Sequence, residues 1–127
     1  MFATMWDDAG IVRDAAGLSR AAAALVDLDG ELAHTQASGA REREFNLAWH
    51  DWLNLSNLIA VSRSIVRAGI ARENSRGAHW RRDFTDPGDL ASSTYTRVRQ
   101  RDGALEVEAI PVRFTRVCPG EAGPAAG

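Results

Sequence analysis

A chain of 127 residues with a formal net charge of −2 has room for one hydrophobic core, and none for a dinucleotide fold plus a substrate domain. The near-balanced charge leaves no electrostatic footprint for nucleic acid or for an anionic membrane surface. The lone cysteine, Cys118, cannot close an internal disulfide, which fits a reducing cytoplasm.

Asp7 and Asp8 break the N-terminal apolar run, so it does not read as a signal peptide. Phe2 to Asp8 reads as a short helix with Phe2, Met5 and Trp6 on one side, ended by Gly10. Ile11-Val12 opens a short extended link, and Asp14 is placed to cap the next helix. There Leu18, Ala21, Ala22, Leu25, Leu28 and Leu32 recur at three- and four-residue spacing, the signature of one buried helix face. Ser38-Gly39 reads as its stop. Arg41, Glu42, Arg43 and Glu44 read as a solvated, self-compensated start to the following helix.

That following helix is the spine of the chain. Phe45, Trp49, Trp52, Leu53, Leu55, Leu58, Ile59, Ile65, Val66 and Ile70 leave little of its circumference polar, which predicts a place in the middle of a bundle. Unbroken from Arg41 to Asn74, it would run about 50 Å, longer than the preceding helix can cover. Part of its apolar surface must then meet the N-terminal segment, the C-terminal strands or another protein. His50, Asn54 and Asn57 interrupt that surface. Leaving a buried amide unpaired costs about 1–3 kcal/mol, so the two asparagines read as partner contacts or as internal bonds that fix helix register. No apolar run approaches the roughly 20 residues needed to cross a bilayer.

Where the spine ends, Arg72, Arg76, Arg81, Arg82, His79, Trp80 and Phe84 gather around Gly77. Gly77 suits a backbone conformation closed to other residues. Two readings of the cluster stay open. Arg72, Arg76 and Arg82 can meet the partial negative charge of the last helical carbonyls and pair with Glu73 or Asp83. Alternatively, Arg76 and His79 can donate to an anionic group on a partner. Proton transfer by His79 needs an acid or base within about 3 Å, and the sequence offers none. Arg72, Ser75, Arg76, Gly77, His79 and Arg82 are therefore the candidate partner-docking residues, with no catalytic residue assigned.

Thr85 to Asp89 reads as a loop on its Pro-Gly pair. Thr94–Arg101 and Ala104–Ile110 then flank Asp102-Gly103, a favoured two-residue hairpin turn. Counting outward pairs Arg99 with Glu106, Val98 with Val107 and Arg97 with Glu108. Charges fall on one face, with Thr96, Val98, Leu105, Val107 and Ala109 on the other, so a one-residue slip would push charge into the core face. Pro111 ends regular pairing or confines Val112-Arg113-Phe114-Thr115 to an edge position.

The Ser75-Arg76-Gly77-Ala78-His79 core, with Arg72 before it and Arg82-Asp83-Phe84 after it, resembles the C-terminal domain of the succinate dehydrogenase and fumarate reductase flavoprotein family, which includes L-aspartate oxidase. Met5-Trp6-Asp7-Asp8 with Gly10-Ile11-Val12-Arg13, Asn57-Leu58 and Ile110-Pro111-Val112 extend the likeness from about Met5 to Pro119. One position departs from the pattern. Asn74 stands where the family commonly has Glu, so no carboxylate role carries over to it.

The resemblance implies part of an oxidoreductase. FAD would lie on a partner flavin-binding domain or subunit, and an iron–sulfur subunit is a further expected partner. Residues 1–119 would form the helical domain and 120–127 a flexible tail. The expected fold is mainly α, an antiparallel, spectrin-repeat-like bundle of about three helices with a C-terminal β-hairpin. The leading functional reading is a domain that buttresses the flavin domain and carries no flavin or substrate site itself. A stand-alone interaction module is the alternative, and a small enzyme built on Arg76 and His79 is the third. The residues carry no phosphate-cradling glycine loop, no nucleophile elbow and no metal-ligand spacing among His34, His50 and His79. Neither nucleic-acid binding nor direct membrane insertion is expected. The protein is expected in the cytoplasm, reaching a membrane only through partners.

Overall fold

The computed structural model of the chain describes residues 1–35 and 45–121. Among them three helices and four strands follow in the order α1 Phe2–Asp7, β1 Val12–Arg13, α2 Ala15–His34, α3 Leu47–Ala71, β2 Trp80–Arg81, β3 Thr94–Arg101 and β4 Ala104–Pro111. The expected stop at Ser38-Gly39, the start at Arg41–Glu44 and the last six residues of the tail lie outside the described residues.

Asp14 opens α2 as its sequence position suggests: the carboxylate accepts from the Gly17 amide at 2.8 Å and satisfies one of the free donors at the helix start. The expected face of α2 is the buried one, through Leu18, Ala21, Leu25 and Leu32. Asn46 caps α3 in the same manner, accepting from the Trp49 amide at 3.0 Å. The two long helices run antiparallel. At one end Leu18 packs where Gly69 lacks a side chain, and at the other the Trp52 indole donates to the Leu32 carbonyl at 3.2 Å. Ala9, Leu18, Ala21, Leu25 and Val66 form the core, flanked by Met1, Met5, Ala22, Leu28 and Ile70.

The spine helix is less enclosed than its composition predicts. Of the ten apolar residues from Phe45 to Ile70 expected to pack inside a bundle, only Ile59 and Val66 are buried. Phe45, Trp49, Leu55, Leu58 and Ile65 are exposed. The reason is geometric: α2 covers one side of α3 and the hairpin another, and no other described element remains for the third.

The hairpin has the expected register, with Arg99 opposite Glu106, Val98 opposite Val107 and Arg97 opposite Glu108. Asp102 and Gly103 both take positive φ, 50° and 82°, as a tight turn matched to strand twist requires. Arg97–Glu108 and Arg99–Glu106 form ion pairs on the outer face. Exposed pairs of this kind contribute about 0–1 kcal/mol, so they specify register more than stability. The hairpin lies alongside the C-terminal half of α3, its turn near Ala60–Ser64 and its open end near Ala71–Asn74. Pro111 closes β4 opposite Thr94, and one further bond joins the Val112 amide to the Ser93 carbonyl at 2.9 Å.

One pairing goes beyond the sequence reading. The extended link that begins at Ile11-Val12 runs on into strand β1, Val12–Arg13, paired in parallel with Trp80–Arg81. The Trp80 amide donates to Ile11 at 3.1 Å and the Arg82 amide to Arg13 at 2.8 Å. Parallel strands need a long connection, here α2 and α3 together. This pairing carries the N-terminal segment to the arginine-rich corner. No helix among the described residues is long and apolar enough to cross a membrane.

Leu25→Ala should lower unfolding stability by about 2–5 kcal/mol, because the side chain is fully buried and its removal leaves a cavity. Val26→Ala, on the exposed side of the same helix, should stay within about 0.5 kcal/mol of the parent. Urea unfolding monitored by circular dichroism measures both.

Candidate partner-docking site at the end of the long helix

Helix α3 ends at Ala71, and Arg72 turns the backbone into an extended conformation. The chain then folds back tightly. Arg76 and His79 exchange backbone hydrogen bonds at 2.9 and 3.2 Å, with Gly77 at the bend in the left-handed region, φ +60°. A side chain at Gly77 would meet open space, so the backbone angle is what calls for glycine there.

Inside the corner, Ser75 is buried and organises the loop. Its hydroxyl accepts from the Arg81 amide at 2.8 Å and donates to the Phe84 carbonyl at 2.8 Å, with the Arg81 carbonyl at 3.1 Å as the other acceptor in reach. Asn74 bridges outward: its Oδ1 accepts from Arg72 Nε at 2.8 Å and its Nδ2 donates to the Pro87 carbonyl at 3.2 Å. The second bond needs an N–H, which a carboxylate at that position would lack.

The cation that meets the helix end is Arg81. Only 2% exposed, it donates from Nη1 to the Gly69 carbonyl at 2.7 Å and lies 3.4 Å from the Ile70 and Arg72 carbonyls. Nε and Nη2 grip both oxygens of Asp83 at 2.8 and 2.7 Å, while the Phe84 ring lies 4.9 Å beneath the guanidinium carbon. Asp83 Oδ2 also accepts from the Ala15 amide, at 3.0 Å, at the start of α2. The hydrogen bonds from Arg81 hold the Asp83 carboxyl well below the usual carboxylate range. The same hydrogen bonds, accepted by Asp83, raise the pKa of Arg81.

His79 sits between an obligate donor and an obligate acceptor. Arg13 Nη1 donates to Nδ1 at 2.9 Å, and Nε2–H donates to the Arg72 carbonyl at 3.0 Å. This arrangement fixes the neutral ring with its proton on Nε2. Burial is the first cause that lowers its pKa; the Arg72 hydrogen bond opposes, and the charges of Arg13, Arg72 and Arg81 lower it further. With both nitrogens committed, the ring is not poised to take a proton from a substrate.

The six candidate residues therefore occupy one corner in different depths. Ser75 and His79 are buried, Arg72 and Arg76 half-buried, and Gly77 and Arg82 exposed. Arg76 Nη1 donates to the Ser93 hydroxyl at 2.8 Å, tying the corner to the approach of the hairpin. Arg13, Arg81 and Asp83 belong to the same constellation; the sequence places Arg81 in the cluster and Asp83 as an ion-pair partner, but not among the docking candidates, and it does not bring Arg13 to the corner. The available signal is alternation: His79 and Arg81 point in, Trp80 and Arg82 out, as in any half-buried strand.

A helix start can cradle a phosphate only where its first amides are free. The one strand-to-helix junction among the described residues is β1 to α2, where Asp14 and Asp83 already occupy the amides of Gly17 and Ala15. A diphosphate there would face two carboxylates in place of free amides. Nor do three or more His, Cys, Asp or Glu side chains among the described residues form a group that could hold a metal ion.

Ser75→Ala should cost about 1–3 kcal/mol, because the buried Arg81 amide loses its acceptor; thermal unfolding measures it. The lowered pKa of His79 makes the unfolded chain bind the extra proton first. Its contribution to stability is therefore complete above the ordinary value of 6.5 and declines as pH falls below it toward the lower folded value. The decline as pH falls below 6.5 should be absent in His79→Gln; Asp83 acts separately, losing its contribution below 3.8.

The family described as fumarate reductase flavoprotein C-term matches residues 1–124. The fumarate reductase flavoprotein subunit of Mycobacterium tuberculosis is 39% identical over 122 residues, covering 95% of this chain and 21% of that protein. The L-aspartate oxidase of Streptomyces coelicolor is 34% identical over 95 residues, 75% of this chain and 16% of that protein. Among solved structures, E. coli quinol fumarate reductase FrdA superposes with a TM-score of 0.83 at 23% identity, over 94% of this chain and 21% of that one, a likeness of fold. Mycobacterium smegmatis Sdh1 superposes with a TM-score of 0.67 at 27% identity, over 86% of this chain and 18% of that one. The chain spans about a fifth of the length of the curated relatives it matches. Three helices with a C-terminal hairpin, the arginine-rich corner and these matches lead to one statement: the chain belongs to the fumarate reductase flavoprotein C-terminal domain family.

Proposed function

We propose that this domain buttresses the flavin-binding domain of an FAD-dependent oxidoreductase of the fumarate reductase and succinate dehydrogenase type, with the redox chemistry carried by that other domain. The observation that carries this reading is the amount of bare apolar surface. Phe2 and Trp6 on α1 are 78% and 83% exposed, and Leu47 at the start of α3 is 75% exposed. Surface of this kind, on a domain about a fifth the length of its relatives, fits a larger body that covers it. At the β1–α2 junction the amides of Ala15 and Gly17 are already bonded to Asp83 and Asp14, which agrees with FAD held elsewhere.

At the corner, Gly77, Arg82 and Arg76 form the rim that meets the partner, while Ser75 and His79 shape it from within and Arg72 supplies the carbonyl that fixes the ring. Arg76 Nε–H is buried and meets no acceptor among the described residues, as expected of a donor whose acceptor arrives with a partner. An iron–sulfur subunit is the next neighbour in this reading, and attachment to a membrane would run through such partners.

Co-production with the M. tuberculosis fumarate reductase flavoprotein subunit, truncated by the fifth that matches this chain, tests the reading. A stable yellow complex is expected; two proteins that elute apart would contradict it. Arg76→Ala should weaken the complex at least tenfold while moving the melting temperature of the free chain by less than about 4 °C. A larger loss of stability with undiminished binding would make Arg76 a residue of the fold alone.

A further inference from the structure

We infer that one flank of α3, carrying Leu58, Val61, Ile65 and Ala68, seats an amphipathic helix from the flavin-bearing remainder of the enzyme. This rests on the docking reading above and names the surface and the kind of partner that fits it.

Successive residues of a helix stand about 100° apart, so the neighbours of α3 sort into flanks. Ile59, Ser62, Val66 and Gly69 are buried toward α2. Ala60, Arg63, Ser64 and Arg67 line the clefts shared with the hairpin. Leu47, Asn54, Leu58, Val61, Ile65 and Ala68 fall on the remaining flank. Leu58, Val61 and Ile65 are 43%, 58% and 44% exposed, against 1% for Ile59 and Val66 one flank away.

The spacing on this flank identifies the partner's form. Asn54, Leu58, Val61, Ile65 and Ala68 step by four, three, four and three residues, the alternation by which one helix meets another along a seam. An extended segment would instead reward a period of two. Branched Val61 and Ile65 make rigid knobs, and Ala68 leaves room for a larger residue opposite. From Leu58 to Ala68 the apolar seam is about 15 Å long, enough for some three turns of a facing helix. Asn54 closes the seam with a polar group, which favours one register by requiring a polar partner there. The occupant is therefore a helix presenting leucine, valine or alanine at three- and four-residue spacing, with a hydrogen-bonding side chain opposite Asn54. Its source is the remaining length of enzyme, about four-fifths of the relatives, that this chain does not contain.

The same truncated M. tuberculosis flavoprotein subunit serves as the probe. Val61→Glu and Ile65→Glu should each weaken its complex with this chain at least tenfold, with helical content and melting temperature of the free chain unchanged. Val26→Glu, an equally exposed apolar site on α2, should bind like the parent. Val61→Ser and Ile65→Ser repeat the comparison without added charge and should show the same order of effect at smaller size. If the parent chain binds the subunit and the Val61 and Ile65 variants bind equally well, the seam is wrong and the docking reading survives. If the parent chain does not bind at all, the docking reading itself falls and takes the seam with it. If the free chain is a dimer that Val61→Glu dissolves, the flank pairs two copies of this chain, and the inference is overturned.

Discussion

Two helix ends of opposite polarity are held by one ion pair. The last carbonyls of α3 carry partial negative charge and meet the Arg81 guanidinium, while the first amides of α2 carry partial positive charge and meet the Asp83 carboxylate. Arg81 and Asp83 grip each other through two hydrogen bonds, so each charge is neutralised by its partner and by a helix end at once. Removing an arginine from water is expensive without such compensation. Here all three guanidinium nitrogens have acceptors, and the Phe84 ring lies below the group. The antiparallel arrangement of α2 and α3 follows from this corner as much as from the apolar face between them.

The remaining features of the corner are consequences of that arrangement. For Arg81 to reach the carbonyls, its strand must lie beside α3, and the parallel pairing with Val12–Arg13 holds it there. Ser75 fixes the strand from the other side through the Arg81 amide. His79, two residues before Arg81 on the same strand face, is forced beside Arg13 and the Arg72 carbonyl, which leaves it neutral and fully bonded. A motif dense in arginine and histidine can thus look like a reaction centre and be a device for joining helix ends. What remains open is the outer rim and the apolar flank of α3, which no described element covers and to which the proposed docking is assigned.

Much of this was legible from residue order. Asp102-Gly103 between two alternating runs dictates hairpin and register, since a slip would bury Arg97 or Glu108 on the core face. The three-and-four spacing of Leu18, Ala21, Leu25 and Leu32 identifies the buried face of α2, and Asp14 its cap. The Ser75–His79 motif identifies the family. Long-range partners were not legible. Nothing local announces that Val12 pairs with Trp80, because parallel pairing is set by how two helices bring distant segments together. The choice between Arg81 and Arg82 as the helix-end cation turns on which one a two-residue strand points inward. Composition also overstated the burial of α3: a helix apolar on all sides can lie inside a bundle or await a partner, and side chains alone do not separate the two cases.

Amide hydrogen exchange on Arg81→Met tests most directly whether a single ion pair joins the two helix ends. The expected result is faster exchange at Ala15 and through the first turn of α2, together with the last turn of α3 and the residues just after it, although Arg81 itself touches only the α3 end. Faster exchange confined to the residues around Arg72, with the start of α2 as protected as in the parent chain, would show that the two ends are held independently and would contradict the single-pair linkage.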